Sequence, residues 1–169
     1  MKKQILRGLF LAVLIIGCKP PFEPKQLENP EFFQKAIQNL SDIVVYDIFS
    51  PPVASRVYLY PTIAAYEILA QSMPEKYNSL SEQIAHLPSI PKAEDQDISP
   101  HMAALYAFNG VAKELIFSED KITQFQESFE MELKEMGVPR ALKVNSKRFG
   151  LKVAEHILLS LIHISEPTR

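Results

Sequence analysis

The sequence predicts an all-α protein, an antiparallel array of about five main helices. Apolar residues recur at spacings of three and four through most of the range 30–161, and no segment alternates apolar and polar residues as a half-buried strand does. With 169 residues, 47% of them hydrophobic, the chain can form about one domain. The polar, proline-rich stretch 73–99 predicts one long crossover loop, with a short helix near residues 81–86.

The first helix is predicted to begin at Asn29-Pro30-Glu31. An asparagine side chain can accept a backbone N–H, proline suits the first helical position, and an acid suits the first turn. Ser50-Pro51-Pro52 is expected to end this helix, because the residue before a proline is pushed out of the helical region. An apolar stripe is predicted to face the core: Phe33, Ile37, Leu40, Val44 and Ile48.

The second helix, Val53 to Ala70, is apolar or aromatic at nearly every position and is therefore predicted to be the central helix. Pro61 removes one of its hydrogen bonds and is expected to kink it. Asp47 and Arg56 flank the corner between the first two helices, and we expect them to form an ion pair that fixes the interhelical angle. The change Arg56→Ala would then lower the melting temperature.

Local signals mark the ends of the three remaining helices. Ser99-Pro100 opens the third, Ser118 can cap the fourth, Gly137 can end the fourth, and Pro139 starts the fifth. Helical spacing predicts that these helices bury Met102, Leu105, Tyr106, Ala112, Ile116, Ile122, Phe125, Phe129, Leu133, Met136, Leu142, Phe149, Val153 and Ile157.

The composition excludes several classes of function. With 18 Lys+Arg, 20 Asp+Glu and a net charge of -2, the chain lacks the basic excess of a nucleic-acid-binding protein, so no nucleic-acid partner is expected. The five glycines never cluster into a nucleotide-binding loop. A single cysteine excludes an internal disulfide and a cysteine-based zinc site.

The histidines offer no metal or nucleophile site. His86 and His101 stand alone, while His156 and His163 are seven residues apart on one helix, which separates them by about 10.5 Å, too far for one metal ion. No nucleophile-elbow motif occurs. The sequence therefore assigns no catalytic, cofactor-binding or metal-binding residue.

The amino terminus is typical of an exported lipoprotein. Residues 1–17 begin with the basic residues Lys2, Lys3 and Arg7 and continue with an apolar run. This run is about half as long as the roughly 20 residues that a spanning helix needs, so a signal peptide is favoured over a transmembrane anchor. Ile15-Ile16-Gly17-Cys18 resembles the bacterial lipobox, which makes Cys18 the predicted lipid attachment site and the membrane a predicted partner; the alternative is a stray cysteine. Residues 18–29 form a proline-rich tether.

The segment Leu40–Glu67 resembles the amino-terminal helical region of lipoproteins in the vanadium-dependent haloperoxidase family of Bacteroidetes-type bacteria, within the type 2 phosphatidic acid phosphatase superfamily. The segments Leu115–Ile122 and Gly150–Leu158 continue the resemblance, which covers about residues 31–161. It implies a helical enzyme whose pocket holds vanadate through a histidine and cationic donors to oxidise halide with peroxide. With phosphate bound instead, such a pocket hydrolyses phosphate esters.

The family's oxyanion-binding motifs are absent from the chain: Lys followed after six intervening residues by Arg-Pro, Pro-Ser-Gly-His, and Ser-Arg followed by His and Asp at helical spacing. Ser55-Arg56 supplies a Ser-Arg pair, but Glu67 rather than a histidine follows it. No catalytic residue is therefore carried over from the family. We expect the chain itself to be inactive and to hold no cofactor, with a small-molecule substrate only if a carboxy-terminal part is present.

Residues 162–169 depart from the family pattern and resemble translated sequencing-adapter sequence; the alternative is a frayed natural terminus. We interpret residues 30–161 as the amino-terminal helical domain of a longer enzyme, truncated and followed by a non-native tail. Loss of the partner helices should leave the inward faces of the second helix partly exposed. The alternative is a complete small helical envelope lipoprotein that acts as a binding or structural module.

Overall fold

The computed structural model describes residues 21–84, 87–95 and 97–165, the last five as backbone only. Within these ranges there are helices and no strands, so the predicted all-α class is confirmed. The five α-helices are α1 (Glu31–Tyr46), α2 (Pro51–Ser72), α3 (Pro100–Lys113), α4 (Glu119–Glu135) and α5 (Arg140–Ser165), and short 3-10 helices span Pro24–Glu28 and Leu80–Glu82. In the described part of the chain, none of the helices has the length and apolar character needed to span a membrane.

The central helix is α3, and the prediction that α2 is central was wrong. Every residue from Met102 to Asn109 is buried, and α3 packs most extensively against α5 and α2. The amino-terminal half of α2 leaves Val53 and Leu59 exposed, whereas its carboxy-terminal half from Pro61 onward is mostly buried. Apolar composition does not distinguish the two helices, because the position of α3 between α2 and α5 depends on contacts with segments distant in sequence.

A close approach of α3 and α5 forms the seam at the middle of the fold. A Cβ atom added at Gly150 would collide with the Ala103 carbonyl oxygen and would lie 2.8 Å from the Tyr106 Cβ. Gly150 therefore lets the two helix backbones meet without a side chain between them. Phe149, Val153 and Ile157 are buried on α5, as their spacing predicted.

The stripe predicted for α1 is confirmed at Leu40 and Val44, which are buried, and Phe33 packs against the core, but it is wrong at Ile37 and Ile48. Ile37 is exposed, and Ile48 lies beyond the end of the helix with 88% of its surface exposed. Phe32 packs edge-on against Phe129 of α4, with ring centroids 5.4 Å apart, which turns the neighbouring positions inward. The buried residues are Phe32, Ala36, Leu40, Ile43 and Val44.

The predicted helix starts are confirmed in two places. The Asn29 Oδ1 accepts the Glu31 N–H at 3.0 Å, and the Ser99 Oγ accepts the Met102 N–H at 3.3 Å. Ser118 does not cap α4 with its own side chain; its hydroxyl donates to Asp47 instead.

The carboxy-terminal ends of α1 and α4 have the same backbone pattern. The Ile48 N–H donates to the Val45 carbonyl and the Phe49 N–H donates to the Val44 carbonyl, both at 3.3 Å. At the end of α4, Gly137 and Val138 make the equivalent pair of bonds. Both Ile48 (φ 55°) and Gly137 (φ 75°) are left-handed, as this type of helix end requires. The prediction that Gly137 ends α4 is confirmed.

The crossover between α2 and α3 follows its predicted course. It contains the 3-10 helix Leu80–Glu82 and buries Leu87 and Ile90 against the core. His86, the predicted signal peptide, the predicted lipid attachment site Cys18 and residues 166–169 lie outside the described residues. The backbone of α5 stays helical through residues 162–165, where the sequence departs from the family pattern.

Candidate functional site

The carboxylate of Glu67 is buried in α2, with 2% of the residue exposed. The Ser79 hydroxyl and the Leu80 N–H donate to its two oxygens, each at 2.6 Å, and these bonds tie the crossover loop to α2. Glu67 also lines a cavity of about 300 Å³, together with Ser81 and Glu82. The charged groups of this cavity are carboxylates, so it is suited to hydroxyl groups or cations and not to an oxyanion.

A second polar cluster joins α3, α4 and α5. The Tyr106 hydroxyl donates to Glu130 at 2.7 Å, and the Lys147 Nζ donates to the same carboxylate oxygen at 2.9 Å. Burial, followed by the bond to Glu130, raises the pKa of the Tyr106 hydroxyl far above its ordinary value. Burial alone would raise the pKa of Glu130, but the bonds from Lys147 and Tyr106 outweigh it and hold that pKa below its usual range. Sequence analysis missed this cluster, because its three residues belong to three different helices.

The basic face of α5 is paired with the acidic part of the crossover loop. Arg148 bonds Asp95 at 2.6 Å and also donates to Asn145 at 2.9 Å, while Lys152 bonds Glu94. Arg148 and Lys152 are thus paired with carboxylates of the same chain. Glu94 responds as expected: the hydrogen bond from Lys152 lowers its pKa.

The histidines within the described part of the chain are not brought together into one site. His101 lies between two apolar cavities of about 510 and 280 Å³ and lines both. His156 lies on α5, with its Nε2 buried and without a hydrogen-bond partner. Among the described residues, no group of three or more His, Cys, Asp or Glu side chains is arranged to hold a metal ion.

The predicted ion pair between Asp47 and Arg56 does not form, and this prediction was wrong. Asp47 instead accepts hydrogen bonds from the amino-terminal turn of α4: the Phe117 N–H at 2.9 Å, the Ser118 N–H at 3.2 Å and the Ser118 hydroxyl at 2.5 Å. Backbone donors at a helix start attract a carboxylate more effectively than an exposed guanidinium does. Arg56 remains exposed on α2.

The chain resembles part of a vanadium-dependent iodoperoxidase. That protein, described as the first bacterial vanadium-dependent iodoperoxidase, superimposes with a TM-score of 0.74 at 37% sequence identity over 83% of this chain. This similarity supports the resemblance to the haloperoxidase family that the sequence predicts. No family model and no curated protein matches the chain.

The similarity is limited to part of the iodoperoxidase, since the chain spans about a third (35%) of that protein's length. The residues described do not fit a vanadate ion. The acidic cavity at Glu67 would repel it, and Lys147, Arg148 and Lys152 are already bonded to carboxylates. We therefore derive no step of halide oxidation from the residues of this chain.

Proposed function

We propose that this chain is the amino-terminal helical part of an exported, lipid-anchored enzyme similar to vanadium-dependent haloperoxidases and acid phosphatases, and that it has no turnover by itself. The observation that carries the proposal is the match to an iodoperoxidase over 83% of this chain and 35% of that protein. A halide-oxidising whole protein is favoured over a phosphatase, because that neighbour is an iodoperoxidase.

Two further observations support a scaffold role. The oxyanion-binding motifs are absent from the sequence, and three cationic side chains of α5, Lys147, Arg148 and Lys152, are paired with Glu130, Asp95 and Glu94. In addition, Val53 and Leu59 on α2 are exposed, as expected if partner helices cover them in a longer protein. We expect the chain alone to be prone to aggregation.

The experiment has two parts. The purified chain is assayed for iodide and bromide oxidation by peroxide and for phosphomonoester hydrolysis, each with and without vanadate, and we expect no turnover. Turnover that depends on vanadate would contradict the scaffold role. In parallel, the source DNA is sequenced beyond codon 161; we expect an open reading frame that continues into the oxyanion-binding motifs, and a stop codon directly after Arg169 would overturn the proposal.

Export and anchoring through Cys18 form a separate part of the proposal. The chain is expected in the membrane fraction of the cell envelope, facing the periplasm or on the outer membrane, held there by the lipid on Cys18. The change Cys18→Ser should release it from that fraction, with Cys18 unchanged as the control. Retention of the Cys18→Ser variant in the membrane would contradict lipid anchoring.

One observation favours the alternative, a complete small envelope lipoprotein that acts as a binding or structural module. The buried residues of α1 to α5 form one continuous hydrophobic cluster, as in a self-contained domain. A compact monomer with a sharp unfolding transition and a genuine stop codon after Arg169 would favour this alternative.

A further inference from the structure

An apolar groove lies between α3, α4 and α5. Its volume is about 500 Å³. The side chains that form it are Gly110, Gln126, Leu151, Ala154, Leu158 and Leu159. Gly110 and Ala154 lie at its floor, where α3 and α5 meet closely enough that a Cβ at position 110 would lie 2.9 Å from the Ala154 Cβ.

The leucines of this groove are placed as on a helix that packs against a further helix. Leu151, Leu158 and Leu159 follow the spacing of one helical face, yet Leu151 is 42% and Leu159 is 55% exposed. The opposite face of α5 buries Phe149, Val153 and Ile157 in the core. An apolar stripe over a floor of small residues is the surface into which an amphipathic helix docks.

The position of the groove indicates what fills it. Leu159 is two residues before Leu161, where the family resemblance ends, and about two thirds of the iodoperoxidase has no counterpart in this chain. A helix joined to α5 by a short turn runs antiparallel along it, which takes it back past Leu158 and Leu151. Glu114, Glu155 and Lys113 also line the groove, and Lys113 is paired with Glu119, so the two acids favour basic residues on the flanks of that helix.

We propose that this groove is the docking site of the amphipathic helix that follows α5 in the full-length protein, with its apolar residues against Leu151, Leu158 and Leu159. This inference rests on the proposed function, because it requires that the polypeptide continues beyond this chain. A second copy of the chain is the competing occupant.

Thiol labelling distinguishes these possibilities. Leu159→Cys is introduced with Cys18→Ser into both this chain, where the new thiol is then the only one, and the longer protein encoded by the source DNA, in which every further cysteine is also replaced by serine. We expect a maleimide to react at least about tenfold more slowly in the longer protein, because the docked helix covers position 159. Met131→Cys is the matched control, since Met131 is 61% exposed on α4 and should react equally in both proteins.

Each outcome decides the inference. Protection at position 159 with a reactive position 131 supports it. The inference is overturned if Leu159→Cys reacts at the same rate in both proteins. It is also overturned if the longer protein slows the reaction at positions 159 and 131 to the same extent. Protection in the short chain that grows with protein concentration also overturns it, because a second copy is then the occupant. If the longer protein oxidises iodide but leaves position 159 reactive, only this inference fails; if no longer reading frame exists, the proposed function fails as well.

Discussion

The seam between α3 and α5 and the corner between α1 and α2 hold their helices in place by different means. At the seam, Gly150 allows the backbones of α3 and α5 to approach closely, so the contact depends on steric packing. At the corner, the Asp47 carboxylate accepts three hydrogen bonds from the start of α4, and Ile48 has a left-handed backbone with most of its surface exposed. The seam should therefore tolerate no added atoms, whereas the corner should be sensitive to the loss of one polar group.

The largest effect is expected from Gly150→Ala. The added methyl group would collide with the Ala103 carbonyl oxygen, which is backbone and cannot move aside as a side chain can. We expect the free energy of unfolding to fall by about 3 kcal/mol, measured by urea denaturation. Gly110→Ala is the control, because its new atom would meet the Ala154 and Leu151 side chains instead of backbone, and its loss should be smaller. Equal losses in the two variants would mean that the seam is not defined by backbone contact.

The next effect is expected from Asp47→Ala at the corner. This change leaves the Phe117 and Ser118 N–H groups without their acceptor and should lower the free energy of unfolding by about 1–2 kcal/mol. Arg56→Ala is the control, and its effect should stay within about 0.5 kcal/mol, as for other exposed positions. If Arg56→Ala lowered the free energy of unfolding as much as Asp47→Ala does, that result would support the ion pair predicted from the sequence.

The contribution of Asp47 should depend on pH. Burial alone would raise the pKa of Asp47, but the bonds from the Ser118 hydroxyl and from the Phe117 and Ser118 N–H groups outweigh it and lower that pKa. A carboxyl whose pKa is lower in the folded state stabilises the fold fully above its unfolded pKa of about 4, and this contribution is lost as the pH falls through the folded pKa. The difference in stability between the unchanged chain and Asp47→Ala should therefore shrink below about pH 4. A difference that stays constant between neutral and strongly acidic pH would show that the Asp47 charge contributes nothing.

The sequence predicted local features better than tertiary ones. The fold class, the start of α1 at Asn29, the crossover loop and the end of α4 at Gly137 all depend on neighbouring residues, and the structure confirms them. The central helix and the partner of Asp47 were predicted wrongly, because Ala103 and Phe117 acquire their importance from segments far away in the chain.

The candidate site was less predictable than the fold. The bond between Tyr106 and Glu130 joins residues 24 positions apart, and no local pattern marks either of them. Glu67 did carry a signal, as a lone acid among apolar residues of α2, but its partners Ser79 and Leu80 follow only from the path of the loop. The groove beside Leu159 was equally hard to predict. The spacing of the leucines reveals an apolar stripe, but it does not show whether another helix covers that stripe.

The smallest effect, and the only expected gain, is at Ile48. A β-branched residue in the left-handed region costs about 1–2 kcal/mol relative to glycine, while glycine loses more backbone entropy on folding, by about 0.5–1 kcal/mol. Because Ile48 is 88% exposed, little packing is lost with its side chain. Ile48→Gly should therefore raise the free energy of unfolding by less than about 1 kcal/mol in urea denaturation. Ile48→Ala keeps the Cβ in the same backbone conformation and should give no comparable gain. If both variants raised the free energy of unfolding equally, the cause would be the removal of an exposed apolar side chain. The left-handed backbone at position 48 would then carry no strain.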